Sequence, residues 1–103
     1  MDLTKKDILA KETPTVLITE YIEELLKESI GESLAKDTKL SSYHGYWVFK
    51  FPFERMKKNL FYKDLTLWND CKVRRKHLVV IINKLKKLKE MREKGFKLVR
   101  KGC

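Results

Sequence analysis

Glutamine is absent from this chain of 103 residues and asparagine occurs only three times, whereas lysine occurs 19 times. Proteins of hyperthermophiles are enriched in Lys and Glu and depleted in thermolabile amides. An AT-rich genome also raises the lysine content, but it should raise asparagine with it. The composition therefore indicates a hyperthermophile, an archaeon or one of its viruses, with an AT-rich genome as the alternative source.

Long apolar runs are also missing. No stretch approaches the roughly 18 apolar residues of a membrane-spanning helix, and the first residues lack the apolar core of a secretion signal. The content of 43% hydrophobic and 11% aromatic residues argues against a disordered chain, and the length suits one domain. We therefore expect a single soluble domain in the cytoplasm, without a membrane partner.

Motifs for cofactors and catalysis are absent as well. The four glycines form neither GxGxxG nor GxxxxGK[ST], and the two histidines and two cysteines lack the spacings of zinc sites. Ser41 and Ser42 are too close to His44 in sequence to form a catalytic triad with it. On one helix, a step of six residues would point Cys71 and His77 apart. The sequence predicts no catalytic residue, metal ligand or cofactor, so we expect a non-enzymatic protein.

Acidic residues become scarce towards the end of the chain. Residues 1–50 carry seven basic and nine acidic residues, whereas residues 51–103 carry 17 basic and five acidic residues. The net charges of the two halves are therefore −2 and +12. We expect a polarised molecule whose positive charge belongs to the C-terminal half.

Residues 13–36 predict an acidic helix. Thr13 can cap this helix, Pro14 suits its first position, and Gly31 either ends it or lies within its last turns. The apolar residues repeat at helical spacing, namely Ile18, Ile22, Leu25, Leu26, Ile30 and Leu34. The solvent side carries a ladder of glutamates, Glu20, Glu24 and Glu28. Such a ladder repels itself unless cations lie nearby.

Residues 43–53 alternate like a half-buried strand that Pro52 ends, after a polar break at residues 37–42. The parity expected to face the core holds four large aromatic residues, Trp47, Phe49, Phe51 and Phe53. The next segment is ambiguous. A short helix that begins after Pro52 would place four apolar residues in one stripe, namely Phe53, Met56, Leu60 and Phe61. Residues 65–68 are more typical of a strand, and Asn69-Asp70 predicts a turn and a helix cap.

A second, basic helix is predicted from Lys72 or Arg74 to Lys94, and Gly95 closes it. Its apolar face comprises Leu78, Ile81, Ile82, Leu85, Leu88 and Met91. Residues 96–99 alternate briefly and predict a final edge strand.

These elements predict an α+β fold, a small single domain with two amphipathic helices packed on one face of a short antiparallel sheet. We distinguish four regions along the domain. They are residues 1–12, which allow a flexible N-terminal arm, 13–36 (the acidic helix), 43–70 (the aromatic strand region) and 71–103 (the basic helix and tail).

The basic half predicts contact with nucleic acid, either DNA or RNA, because phosphate neutralisation by Lys and Arg supplies most non-specific affinity. Arg74, Arg75 and Lys76 oppose the dipole of the helix that they begin, so an external anion or the acidic helix should lie opposite them. We expect eight basic residues to contact phosphates, namely Arg74, Arg75, Lys76, Lys84, Lys86, Lys87, Arg100 and Lys101. A merely solvated basic face is the alternative.

Aromatic side chains offer a second contact with nucleic acid, since exposed aromatics on a sheet stack on unpaired bases. The large aromatics on the parity of Trp47 are expected in the core. Tyr43, Tyr46 and Lys50, on or near the other side of the strand, are therefore the candidates for contact with bases.

The alternative function is a protein–protein interaction or assembly module, a homodimer included. The acidic helix of one subunit would meet the basic helix of a second copy, or the basic half would bind an acidic protein. Four residues of the basic helix would add an apolar seam between the copies, namely Leu78, Ile81, Leu85 and Leu88.

Cys71 and Cys103 are expected to be free thiols in the monomer. A helix of about 20 residues separates them and spans about 30 Å. The last eight residues return at most about 28 Å, whereas a disulfide needs Cα atoms within about 7 Å.

Overall fold

The computed structural model describes residues 2–95, so the predicted edge strand at residues 96–99 lies outside the described residues, as do Arg100, Lys101 and Cys103. Within residues 2–95 the chain forms α-helices, one 3₁₀ helix and a three-stranded sheet. The α-helices are α1 (Lys5–Leu9), α2 (Thr15–Ile30), α3 (Glu32–Lys36), α4 (Phe53–Met56) and α5 (Arg75–Glu93). The strands are β1 (Lys39–Tyr43), β2 (Tyr46–Lys50) and β3 (Val73–Arg74), and the 3₁₀ helix spans Lys63–Trp68.

The predicted α+β architecture is confirmed. The sheet is antiparallel with the order β1-β2-β3, and the long helices α2 and α5 pack on each other and on one face of the sheet. Trp47 and Phe49 of β2 are fully buried beneath the helices. The Trp47 indole Nε1 donates a hydrogen bond to Thr19 Oγ1 at 2.9 Å, which ties the sheet to α2.

The helical periodicities correspond to real buried faces. From the predicted stripe of α2, all residues up to Ile30 are buried, and from that of α5 all residues up to Leu88 are buried. Leu34 and Met91, at the ends of the two stripes, are half-buried and pack against the core. Gly31, with φ +89°, ends α2, and Gly95, with φ +81°, follows α5.

Residues 39–50 form a β-hairpin, whereas the sequence predicted a polar break at residues 37–42 and one strand from residue 43. His44 and Gly45 make a two-residue turn with φ angles of +39° and +85°. Positive φ at both turn positions matches the right-handed twist of the paired strands. The prediction was wrong because β1 lies at the sheet edge and packs only Leu40 against the core, so its sequence is polar.

The sequence allowed a flexible arm at residues 1–12, but the described residues of this segment are folded against the core. A capping box begins α1, in which Asp7 N donates to Thr4 Oγ1 at 3.2 Å and Thr4 N donates to Asp7 Oδ2 at 2.9 Å. Leu3 and Ile8 are buried. The N-cap of α2 is Pro14 and not Thr13 as predicted, and the Thr13 hydroxyl donates to the Asp7 carbonyl at 2.6 Å.

The predictions for residues 53–70 are partly correct. The short helix that the sequence left open after Pro52 forms as α4, so the strand alternation stops at Phe51, and Phe53, which was expected in the core, is exposed. The predicted strand at residues 65–68 is 3₁₀ helix, in which Leu65 alone is fully inserted into the core. Asn69 and Asp70 form a turn as predicted, but they do not cap α5, because Asn69 Oδ1 accepts from Phe51 N at 2.7 Å.

Candidate functional site

The side of the sheet that faces away from α2 and α5 is the candidate site and is called the outer sheet face. It consists of the strand residues whose parity is opposite to that of Trp47 and Phe49, all of them exposed or half-buried. The members are Lys39, Ser41, Tyr43, Tyr46, Val48, Lys50 and Arg74. These residues share one side of the sheet because each strand turns every second side chain outward.

One row of the outer sheet face combines aromatic and cationic side chains. The strand register sets Tyr43 opposite Tyr46, and Tyr46 opposite Arg74. The two tyrosine rings lie with centroids 5.9 Å apart at an angle of 36°. Lys72, just before β3, places its Nζ 5.1 Å from the centroid of the Tyr46 ring. This tyrosine row, from Tyr43 to Arg74, therefore offers a π-surface beside two cations.

A second row brings two lysines together at the other end of the hairpin. Lys39 lies directly opposite Lys50, and like charges in that position repel each other. Lys50 Nζ lies 3.9 Å from Asp70 Oδ1, but both side chains are about two-thirds exposed, so the pair is weak. This lysine row, Lys39 and Lys50, therefore keeps positive charge that an external anion can neutralise.

Arg75 is placed differently from its neighbour Arg74. Its guanidinium donates to the carbonyls of Ile8 at 3.1 Å, of Ala10 at 2.6 Å and of Thr13 at 2.9 Å. Two of these acceptors lie at the C-terminal end of α1, where carbonyls lack partners within the helix. The sequence predicted that an external anion or the acidic helix would lie opposite Arg75. In the structure, backbone carbonyls occupy that position.

The remaining basic candidates lie along α5, with Lys76 at its start and Lys84, Lys86 and Lys87 further along. Lys76 and Lys87 are exposed, Lys86 is half-buried, and Lys84 Nζ lies 3.4 Å from Asp64 Oδ2. At 1.5 Å per residue, Lys84 is about 15 Å along the helix from Arg74. Because α5 covers the inner side of the sheet, its solvent side and the outer sheet face look in different directions. The structure thus divides the predicted phosphate contacts into two groups.

The acidic ladder on α2 is partly neutralised within the chain. Lys89 of α5 lies with its Nζ 2.7 Å from Glu28 Oε2, and this hydrogen bond raises the pKa of Lys89 above its ordinary value. Lys27 Nζ lies 3.9 Å from Glu24 Oε2. The four residues predicted for an apolar seam between copies are buried in the core, so that part of the assembly hypothesis is wrong.

Cys71 and His77, which were considered as a catalytic pair, each lie beside another group. The thiol of exposed Cys71 lies 3.4 Å from the Asn69 carbonyl oxygen, whereas the ring of His77 lies beside Trp68, with centroids 6.1 Å apart. Residues 2–95 contain no group of three or more His, Cys, Asp or Glu side chains placed to hold a metal ion. None of the helices within the same residues is long and apolar enough to cross a membrane.

Sequence reasoning identified Tyr43, Tyr46, Lys50 and Arg74 but missed Lys39 and Lys72. The signal for Lys39 was the His44-Gly45 turn, because a hairpin around it puts Lys39 on the parity of Lys50. For Lys72 the signal was its two-residue step from Arg74 in an extended segment. With these two lysines added, four cations lie on or beside the outer sheet face, two of them next to the tyrosines and two at the other end of the hairpin.

Comparison of the chain with protein-family models, with curated proteins and with solved structures gives no match. The function is therefore argued from the residues of the outer sheet face.

Proposed function

We propose that this protein binds nucleic acid, without catalysing a reaction, through the outer sheet face. The observation that supports the proposal is that two exposed or half-buried tyrosines and four cations share one side of the sheet. Lys72 and Arg74 lie beside the tyrosines, and Lys39 and Lys50 lie at the other end of the hairpin. The phosphates of a nucleic acid are attracted to such a surface. Its bases stack on aromatic rings, which other anionic ligands without bases cannot do.

The spacing of the two cationic rows favours a polyanion over a small anion. Lys50 and Tyr46 are four residues apart on β2, which corresponds to about 13 Å along the strand. One phosphate or carboxylate cannot bridge that distance, whereas successive phosphates of a nucleic acid strand reach both rows. The exposed lysines of α5, Lys76 and Lys87, add attraction at longer range.

The location of the charges also supports binding. Lys39 and Lys50 repel each other across the hairpin, and Arg74 lies at the positive end of the α5 dipole. Both positions are unfavourable in the free protein, and both become favourable when a phosphate lies against them. Arg75 is left out of the interface because its donors bind the backbone of residues 8–13.

The test is a fluorescence-anisotropy titration with labelled RNA, single-stranded DNA and duplex DNA at about 50 mM salt, repeated at rising salt. If four phosphates are neutralised, log K should fall against log salt with a slope of about −3 on single strands and about −4 on duplex. Lys50→Glu should weaken binding and make the slope shallower, because the variant removes one phosphate contact and adds a repulsive charge.

Lys27→Glu is the matched control, since it makes the same charge change on the exposed side of α2. It should weaken binding much less than Lys50→Glu does. Absence of binding to all three probes at low salt would overturn the proposed function. Equal losses for the two variants would show that net charge, and not the outer sheet face, determines binding.

A further inference from the structure

We infer that the outer sheet face takes single-stranded nucleic acid, with an unpaired base stacked on the ring of Tyr43. This inference rests on the proposed function and specifies its substrate class. Its basis is the different environment of the two tyrosines. Tyr43 is 51% exposed at the end of β1, whereas Tyr46 is half-buried in the central strand.

Tyr46 is held between its neighbours and supports Tyr43. The ring of Tyr43 lies on one side of it at 5.9 Å, and the ammonium of Lys72 lies 5.1 Å from its centroid. The Tyr43 ring is the outermost member of the tyrosine row, so a planar ligand can lie on it without moving the sheet. A cation beside a stacked base is also placed to contact the adjoining phosphate.

A duplex does not present the surface that this row can use. In a duplex each base is covered by its neighbours, and proteins reach only the base edges in the grooves, most often with a helix or a two-stranded ribbon. Single strands present the faces of their bases, and sheet surfaces with projecting aromatics bind them by stacking. The outer sheet face has projecting tyrosines and its members are exposed or half-buried, so it fits a single strand.

The decisive experiment compares three labelled probes of ten nucleotides: oligo(U), an abasic strand of equal length, and a blunt duplex. Loss of one stacked base should weaken binding of oligo(U) by about 5- to 150-fold in Tyr43→Ala. The same variant should bind the abasic strand like the wild type, because that strand has phosphates and no bases. Tyr43→Phe keeps the ring and should retain most of the affinity for oligo(U).

Phe53→Ala provides a control for the loss of an exposed aromatic side chain. Phe53 is 43% exposed and has Lys57 Nζ 5.2 Å from its ring centroid, but it belongs to α4 and not to the outer sheet face. This variant should bind oligo(U) like the wild type.

The possible failures are distinguishable. If none of the probes binds, the proposed function fails and this inference with it. If the duplex binds as tightly as oligo(U), or if Tyr43→Ala weakens oligo(U) and the abasic strand equally, nucleic-acid binding stands and base stacking on Tyr43 is refuted. A preference for oligo(U) that is lost in Tyr43→Ala and kept in Tyr43→Phe supports the inference.

Discussion

Replacing Arg75 with alanine removes the contacts that fasten the N-terminal residues to α5. The guanidinium joins the carbonyls of Ile8, Ala10 and Thr13 to a position more than 60 residues later in the chain. It also lies over the ring of buried Trp47, with Cζ 5.9 Å from the centroid. Alanine provides none of these contacts, although the Ala10 carbonyl still accepts a hydrogen bond from Thr13 N at 3.1 Å.

The free-energy cost follows from the number and exposure of these bonds. A hydrogen bond from a charged donor contributes about 1.5–3 kcal/mol, but three bonds that share one half-exposed side chain are not additive. The cation–π contact adds about 0.5–1 kcal/mol. We expect Arg75→Ala to lower the free energy of unfolding by about 3 kcal/mol. In a domain of this size such a loss lowers Tm by about 12 °C or more.

Urea and thermal unfolding, followed by circular dichroism, measure this cost. The neighbouring residue Arg74 provides a matched control. Arg74 is exposed and makes none of the three carbonyl bonds, so Arg74→Ala should change the free energy of unfolding by no more than about 0.5 kcal/mol. Arg75→Lys keeps the charge but lacks the planar fork, so its stability should lie between those of the wild type and Arg75→Ala.

Two results would refute this reasoning. One is an Arg75→Ala protein as stable as Arg74→Ala, since the three bonds would then contribute nothing measurable. The other is a loss of nucleic-acid binding in Arg75→Ala but not in Arg74→Ala. Under the proposed function the effects of the two substitutions on binding are the reverse of their effects on stability. At a temperature where both variants are folded, Arg74→Ala should weaken nucleic-acid binding and Arg75→Ala should not.

Three further substitutions test single features of the fold. The amide of Thr4 keeps the pKa of Asp7 below its ordinary value, so the carboxylate stabilises the fold above about pH 4 and loses this effect as the pH falls. In urea unfolding, Asp7→Asn should therefore make the midpoint depend less on pH between about pH 5 and 2. Thr19→Val leaves the indole N–H of Trp47 without its acceptor and should cost about 1–2 kcal/mol in urea unfolding, whereas Thr19→Ser should cost much less. Gly45 has φ +85°, and an added Cβ meets no described atom within 4 Å, so Gly45→Ala should lower the free energy of unfolding by about 1–2 kcal/mol through backbone strain alone. A loss below about 0.3 kcal/mol in thermal unfolding would contradict this.

The two long helices could be predicted because their apolar residues repeat without interruption. The basic helix was expected from residue 72 or 74 to 94, and α5 spans Arg75–Glu93. Burial of one helix face requires this repeat, so the sequence records the face directly. The same holds for β2 and the residue after it, where Trp47, Phe49 and Phe51 are all buried.

The first strand could not be predicted from burial, because it buries little. Of its residues only Leu40 packs against the core, and the strand is specified mainly by the turn at His44-Gly45 and by pairing with β2. Pairing energies belong to two segments at once, so one segment alone does not reveal them. The failure to predict β1 is also the reason why Lys39 was not recognised as part of the candidate site.

The roles of Arg74 and Arg75 differ for a reason that no local pattern expresses. The two residues are adjacent in a run of cations, and their side chains leave the chain in different directions where β3 ends and α5 begins. The acceptors of Arg75 are carbonyls, which every residue possesses, so the sequence gives no sign of them. Net charge predicted a cationic cluster, and the fold decides which member is committed to structure.

This division leads to a relation between stability and binding. Arg75 directs three hydrogen bonds into the fold, whereas Lys39 and Lys50 remain as a repelling pair on the outer sheet face. A hairpin optimised for stability alone would place opposite charges at those two positions, which is worth about 0.2–1 kcal/mol. Under the proposed function this repulsion is relieved when a phosphate binds between the lysines. A ligand that binds only the folded state stabilises it, so the strain in the free hairpin and the stabilisation by nucleic acid arise from the same two side chains.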